Sequence, residues 1–547
     1  MTSPTAPLAA ILDQSWAEAL ESAADRHGDR VAFHFEGPGW HQALTFAEWR
    51  EASHRVAAGL AALGVRHGDR VGALAPGSAM WPILQTACSH LGAIIVPINT
   101  RYREDELGFV LGLAEPAVMV LIGQYHVTDY VDLVAAAGGV PELVTIDAPA
   151  IPLRPAAGSG ERGRRTWVEL LALGDAAPVP PIVGRATDAV LLQFTSGTSA
   201  FPKGALLSSR ATLGATWYLA ERMEVTAADV YFSTQPMYHV GGSVATTLMA
   251  LGAGPTMIVP ERYSPEAVFD LVPKYGCTVR TGQAAMYAME LAHPRYRPEF
   301  FASLTKAWSG GTPELRRVIS REMGVPVMTT IYGLTETAGT TTINALDDPE
   351  AVWLHSCGRA IPGVEVAIRS EPGAPPATTP GVEGEIVVRG WSVMLGYFRD
   401  DAATAEAIDS DGWFHTGDIG RLDDAGNLYF VDRIKDMIKP GGENVSAAEV
   451  ERVIRGIEGI AEVAVVGRAD ERLGQVPVAF VSLHPGQTFD PEAIIGHCAS
   501  VMASFKVPRE VHLVESWPMT ESGKILKREL AARFAADGSV SVVGLSG

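Results

Sequence analysis

The sequence predicts an α/β protein with a large N-terminal domain and a small C-terminal one. Strand-length apolar runs alternate with helical patterns over much of the chain, at residues 71–74, 94–97, 117–122, 143–146 and 189–194. Runs that are apolar at successive positions belong to strands buried on both faces, so largely buried sheets with covering helices are expected. With 547 residues the chain is too long for one hydrophobic core, and its 47% hydrophobic and 19% charged residues suit globular domains.

Taken in order, the first signal is Ser15 with Glu18, a capping box that opens a helix with Trp16, Leu20, Ala23 and Ala24 on one face. The strand-like runs follow, interrupted by a connector at 152–165 rich in Pro, Gly and Ala. The run ending at 194 leads into a loop of Gly and hydroxyl residues, and a helix is expected around 211–222. A second connector spans 370–381. From Gly384 short strands (385–388, 428–430) stand between turn residues, as in a small β-rich subdomain. A dense polar stretch, 432–439, marks a boundary. Beyond it, Ser446 and Glu449 form another capping box before Val450, Val453 and Ile454, and strands are expected at 462–466 and 478–482. This gives an N-terminal domain over 1–432, a connecting segment 433–436, and an α+β domain over 437–547 whose tail after Ala536 is loose.

A formal net charge of −20 argues against a nucleic-acid partner. An acidic protein that binds polyphosphate needs local backbone donors, a few chosen Lys or Arg, and a divalent cation. No apolar run reaches membrane-span length and no basic-then-apolar leader opens the chain. Cys88, Cys277, Cys357 and Cys498 are scattered singly, which fits a reducing cytoplasm and no disulfide or cysteine metal framework.

Six short stretches carry residues suited to chemistry. Thr195-Ser-Gly-Thr-Ser-Ala-Phe-Pro-Lys-Gly204 follows a strand and offers backbone N–H groups, the hydroxyls of Thr195, Ser196, Thr198 and Ser199, the flexibility of Gly197, and the ammonium of Lys203 to phosphate oxygens. It is not a Walker loop, because Lys203 follows Pro202 and is not followed by Ser or Thr. Tyr332-Gly-Leu-Thr-Glu-Thr337 sets a carboxylate and two hydroxyls at a strand end, and Glu336 is a candidate Mg²⁺ ligand. Gly310, Gly311, Thr312 and Pro313 allow close backbone approach to a ligand. Asp418 can accept hydrogen bonds from ribose hydroxyls. His239 stands among Met237, Val240, Gly241 and Gly242. Lys524 lies on a Gly-flexed loop. Each alone also reads as a turn, a helix start or a surface residue.

In their order and spacing these stretches resemble the adenylate-forming superfamily, which contains acyl- and aryl-CoA synthetases, non-ribosomal adenylation domains and beetle luciferases. The resemblance runs from the Ser15 helix to Lys527. It implies that the loop at 195–204 grips the β- and γ-phosphates of ATP, although this chain has Ala200 where the family has Gly. It implies Tyr332 on adenine, Thr335 on a phosphate, Glu336 on Mg²⁺, Gly310–Pro313 on adenine and the acyl carboxylate, and Asp418 with Arg433 on the ribose. It also implies two half-reactions. A carboxylate attacks the α-phosphorus with Lys524 bridging the two, and then the C-terminal domain rotates about Lys435. That rotation brings the segment at 439–443 to the site, where Lys439, Gly441 and Gly442 line access for the thiol of coenzyme A.

By the same resemblance His239 borders the acyl pocket, with Met237, Val240, Gly241, Gln283, Ala284 and Ile331 as its wall. The wall is largely apolar and holds no Asp for an ammonium, so a medium- or long-chain fatty acid or an aromatic acid is expected. The expected enzyme is an AMP-forming acid–CoA ligase acting on a small carboxylic acid, as a monomer or homodimer. A carrier-protein thiol, an amine or another small nucleophile is the alternative acceptor.

Overall fold

A computed structural model describes residues 7–154, 164–195, 202–434, 437, 438, 440, 445–470, 473–519, 525–527 and 529–532. The chain divides into two compact units. One comprises Met1–Gly282, Tyr287–Val366 and Val388–His415; the other comprises Gln283–Met286, Ala367–Val387 and Thr416–Gly547. The boundary expected at 432–436 falls inside the second of these and remains an expectation.

The first unit is built on two sheets. In the eight-stranded sheet the spatial order is Gly396–Tyr397, Gly204–Ser208, Ala189–Phe194, Ile94–Pro97, Arg70–Leu74, Val118–Ile122, Leu143–Ile146, Arg164–Thr166. From Ala189–Phe194 to Arg164–Thr166 the pairing is parallel. In the seven-stranded sheet the order is Met328–Thr329, Lys306–Ser309, Val279–Gly282, Val230–Phe232, Thr256–Pro260, Val31–Gly37, Trp40–Thr45. Here only the last pair is antiparallel, and Val31–Gly37 pairs in parallel with the distant Thr256–Pro260. The apolar runs are strands for the expected reason: every residue of Ile94–Pro97, Val118–Ile122 and Leu143–Ile146 is buried.

The helix Met80–His90 has all eleven residues buried, which marks it as an interior helix. Thr86 and the Gln85 amide N–H are paired inside the protein. Thr86 Oγ1 accepts the Trp49 indole N–H at 3.0 Å and donates to the Pro82 carbonyl at 2.7 Å. The Ser15–Glu18 capping box forms as read, with the Ser15 N–H donating to Glu18 Oε2 at 2.8 Å. The next residue, Trp16, is fully buried and donates to Thr212 Oγ1 at 2.9 Å.

A buried ion pair joins the strand Val279–Gly282 to the helix Ala284–Leu291. Arg280 and Glu290 are both fully buried and bonded to each other. Tyr263 donates to Glu290 Oε1 at 3.0 Å, and the guanidinium sits 4.3 Å from the Tyr287 ring centroid. Desolvated charges of this kind persist only when paired this closely.

The second unit contains a β-rich part and an α+β part. The strands Phe414–Leu422 and Leu428–Arg433 pair antiparallel, with Asp418 opposite Arg433. Farther on, Ile460–Asp470 pairs antiparallel with Gly474–Leu483, which pairs in parallel with Glu510–Leu513. The helices Ala447–Arg455 and Pro491–Val501 cover one face through Val450, Ile454, Ile494 and Cys498.

The second capping box is only half formed. Ser446 Oγ accepts the Glu449 N–H, but the Glu449 carboxylate turns away to Lys506 Nζ at 2.7 and 2.8 Å. Ser446 Oγ instead donates to Asp432 Oδ2 at 2.6 Å, and the Ala448 N–H reaches the same oxygen at 3.2 Å. Among the described residues no helix is long and apolar enough to cross a membrane.

Candidate active site

The phosphate-loop candidate links two antiparallel strands. The strand Ala189–Phe194 turns back as Gly204–Ser208, closed at its base by the Thr195 N–H donating to the Lys203 carbonyl at 2.9 Å. The expected helix is Ser209–Arg222, capped by Ser208, and a full strand separates it from the loop. Ser196, Gly197, Thr198, Ser199 and Ala200 lie outside the described residues.

The second side of Gly204–Ser208 carries the short strand Gly396–Tyr397, with Ala205 opposite Tyr397. The Phe398 N–H donates to the Gly204 carbonyl at 2.8 Å. This places the Tyr397 ring beneath Lys203, whose Nζ is 4.9 Å from the ring centroid. The Tyr397 hydroxyl donates to Glu336 Oε1 at 2.8 Å. Burial and the Glu336 carboxylate both push the phenol well above its ordinary range, so it stays a proton donor. Glu336 belongs to a single turn, Thr335–Thr337, and the Met394 N–H donates to its carbonyl at 2.8 Å. Lys203 and Glu336, read on separate stretches of the sequence, thus meet at a tyrosine that the motif reading missed.

Tyr332 and Ile331 form a short strand against Thr342–Ile343, with Tyr332 buried. Gly311 takes φ +97, which favours glycine. Thr312 and Pro313 have a local role as well: Thr312 Oγ1 accepts the Leu315 N–H at 3.3 Å, and Pro313 opens the helix Pro313–Met323.

The segment around His239 is held from two elements. Gln193, on the hairpin strand, donates to the Tyr238 carbonyl at 2.9 Å, and Gln85, on the interior helix, donates to the Ser243 carbonyl at 2.7 Å. His239 precedes the helical turn Val240–Ser243, with its ring 4.9 Å from that of Tyr238. Met237 is buried. A β-carbon at Gly242 would enter the van der Waals shell of the Pro236 carbonyl, and one at Gly241 would press on the Gln235 side chain. The Gln235 Nε2 is buried without a hydrogen-bond partner. Its signal in sequence was faint, a lone amide two residues ahead of a Met-Tyr-His run.

In the second unit, Asp418 is buried and its Oδ1 lies 3.5 Å from Arg433 Nε, so the two residues assigned to the ribose are cross-strand neighbours. Gln283 precedes the helix Ala284–Leu291 and its carbonyl accepts the Met286 N–H at 3.0 Å, a local helix-start role. Lys435, Lys439, Gly441, Gly442 and Lys524 lie outside the described residues. Among the described residues no cluster of three or more His, Cys, Asp or Glu is placed to hold a metal ion.

The family model for AMP-binding enzymes matches residues 20–398, and that for the AMP-binding enzyme C-terminal domain matches 449–524. The chain is an adenylate-forming, AMP-binding enzyme. Two relatives are a 3-[(3aS,4S,7aS)-7a-methyl-1,5-dioxo-octahydro-1H-inden-4-yl]propanoyl:CoA ligase of Mycobacterium tuberculosis, 35% identical over 89% of this chain and 93% of its own, and an indoleacetate–CoA ligase of Aromatoleum aromaticum, 35% identical over 90% and 94%. Among solved structures, ATP-bound MatB from Rhodopseudomonas palustris matches with TM-score 0.82 and 26% identity, covering 96% of this chain and 99% of that one. This AMP-binding enzyme is an AMP-forming acid–CoA ligase: it activates a carboxylic acid to its CoA thioester, and its family uses ATP and CoA.

Proposed function

We propose that the ligase acts on a ring-bearing carboxylic acid carrying a carbonyl or hydroxyl group, within the wider range of medium- or long-chain and aromatic acids that the apolar wall admits. The observation that carries this reading is Gln235. A buried amide N–H without a partner is costly unless a ligand supplies an acceptor. It packs closely on Gly241, where any side chain would press on it, so its amide is held in one place. Relatives that act on a dioxo-indenyl propanoate and, in Amycolatopsis, as a feruloyl-CoA synthase support the same class, and the indoleacetate ligase supports the ring alone.

In this reading Thr195, Ser196, Gly197, Thr198, Ser199 and Lys203 hold the β- and γ-phosphates, and Thr335 contacts a phosphate. Tyr332 and Gly310–Pro313 hold the adenine and the carboxylate, and Asp418 with Arg433 holds the ribose. Glu336 fits a Mg²⁺ ion: it offers an oxygen donor, and a cation of this kind rests on one or two carboxylates plus nucleotide phosphates. When bound, Mg²⁺ neutralises charge on the departing pyrophosphate. The acid's carboxylate oxygen attacks the α-phosphorus, the bond to the β-phosphate oxygen breaks, and Lys524 stabilises the charge that gathers on the α-phosphate oxygens. The CoA thiolate then attacks the acyl carbon and AMP leaves. Lys435 is the pivot between the two steps, and Lys439, Gly441 and Gly442 border the thiol's path.

The test is pyrophosphate release with ATP, Mg²⁺ and a panel of straight-chain, plain aromatic and oxo- or hydroxy-substituted ring acids, with and without CoA. Substituted ring acids are expected to be preferred and to yield thioesters. Gln235→Leu is expected to lose about tenfold in kcat/KM for these alone, the worth of one hydrogen bond near its upper range. Equal loss on unsubstituted acids, or turnover of straight-chain acids alone, overturns the reading. Release indifferent to CoA points to another acceptor.

A further inference from the structure

Lys203 and Glu336 carry opposite charges and meet the same tyrosine, yet they form no ion pair with each other. Lys203 rests on the Tyr397 ring face, with Nζ 4.9 Å from its centroid, and Glu336 Oε1 accepts the Tyr397 hydroxyl at 2.8 Å. The tyrosine itself is held firmly. Its N–H donates to Thr404 Oγ1 at 2.9 Å, its strand pairs with Gly204–Ser208, and its neighbours Met394 and Phe398 donate to the Glu336 and Gly204 carbonyls, each at 2.8 Å.

A direct Lys–Glu pair here would be broken each time a nucleotide entered, because the ammonium and the carboxylate are needed by different ligands. A phenol ring and its hydroxyl offer each charge a neutral partner instead. A cation over a ring face and a carboxylate accepting one hydroxyl are both held in place without being neutralised.

We propose that Tyr397 is a positioning residue that keeps Lys203 and Glu336 apart. It presents the ammonium to phosphate oxygens through its ring and aims the carboxylate at the cation through its hydroxyl. This rests on the reading of Lys203 and Glu336 given above.

The experiment measures ATP binding by calorimetry without acid, so that no turnover occurs, first in EDTA and then across a Mg²⁺ titration. Tyr397→Phe keeps the ring and loses the hydroxyl. It is expected to bind ATP normally in EDTA but to need about tenfold more Mg²⁺ for half-maximal tightening, the scale of one hydrogen bond to a charged group. Tyr397→Leu lets Lys203 and Glu336 pair, so binding in EDTA is expected to weaken about tenfold. Adding Glu336→Gln to that variant is expected to restore it, because the ammonium is freed. A residue with only a structural role gives no such rescue.

Equal weakening with and without Glu336→Gln overturns the proposal, as does an unchanged Mg²⁺ requirement in Tyr397→Phe. If Glu336→Gln alone leaves the Mg²⁺ requirement unchanged, the proposal also falls. The ligase reading then stands or falls separately, on acid-dependent pyrophosphate release by the unaltered enzyme.

Discussion

Replacing Glu290 by leucine strands the Arg280 guanidinium inside the first unit. Both side chains are fully buried, and the Arg280 Nε already lacks a partner. The neighbours left to Arg280 are the Tyr287 and Phe301 rings, at 4.3 and 5.6 Å from its centre, and the Met323 sulfur at 3.7 Å. None of these carries a compensating charge, and the hydrogen bond from Tyr263 to Glu290 is lost as well. Breaking one side of such a pair costs about 3–5 kcal/mol. Removing both charges with shape kept, as in Arg280→Met with Glu290→Leu, avoids the stranded charge and costs less than the single change. At about 2 °C per kcal/mol for a unit of this size, Glu290→Leu lowers the melting temperature by about 6–10 °C. The double variant recovers at least half of that drop. Thermal unfolding followed by tryptophan fluorescence reads both, since Trp16, Trp49 and Trp81 are fully buried in the same unit. A single variant within 2 °C of the parent, by the same rule of about 2 °C per kcal/mol, refutes the reasoning, as does a double variant less stable than the single.

Lys524→Ala is expected to abolish adenylation measured by ATP–pyrophosphate exchange while sparing thioester formation from supplied acyl-adenylate; equal failure of both half-reactions rules out the two-conformation cycle. Gly242→Ala forces the backbone near His239 to move and is expected to lower kcat/KM about a hundredfold. Gly252→Ala, where a β-carbon meets open space inside the helix Thr247–Ala253, leaves activity unchanged and serves as its control. Burial pushes the thiols of Cys88, Cys277 and Cys498 upward, Cys277 to about 12. A thiol reagent is therefore expected to titrate at most Cys357 in the folded protein and every cysteine after unfolding; a second reactive thiol before unfolding contradicts the burial.

What the sequence made legible was local. The strands Ile94–Pro97, Leu143–Ile146 and Ala189–Phe194 were read with their ends because each is an unbroken apolar run between punctuating residues. The Ser15–Glu18 box was read because all its bonds lie within four residues. Where the deciding partner is distant, the reading failed. Nothing near Glu449 announces that its carboxylate is claimed by Lys506, or that Ser446 answers to Asp432. The strand Gly204–Ser208 has a short apolar stretch that becomes a strand because it is flanked by Ala189–Phe194 and Gly396–Tyr397. Tyr397 escaped notice for the same reason, sitting at the end of an apolar run with its partners Lys203 and Glu336 far away in sequence. The site residues themselves were legible as motifs in order, which speaks for chemistry, while their mutual placement came only with the sheet.

The parallel pairing of Val31–Gly37 with Thr256–Pro260 also sets a schedule for biosynthesis. The early strand leaves the ribosome about 220 residues before its neighbour exists, a wait of roughly 10–45 s at ordinary elongation rates. Throughout that interval Phe33 and Phe35, fully buried in the finished protein, lack their neighbour strand and have early elements such as the hairpin to Trp40–Thr45 and Trp49 for cover. One side of this strand therefore stays unpaired while it waits. Slowing elongation anywhere between residues 45 and 256 lengthens its exposure to aggregation.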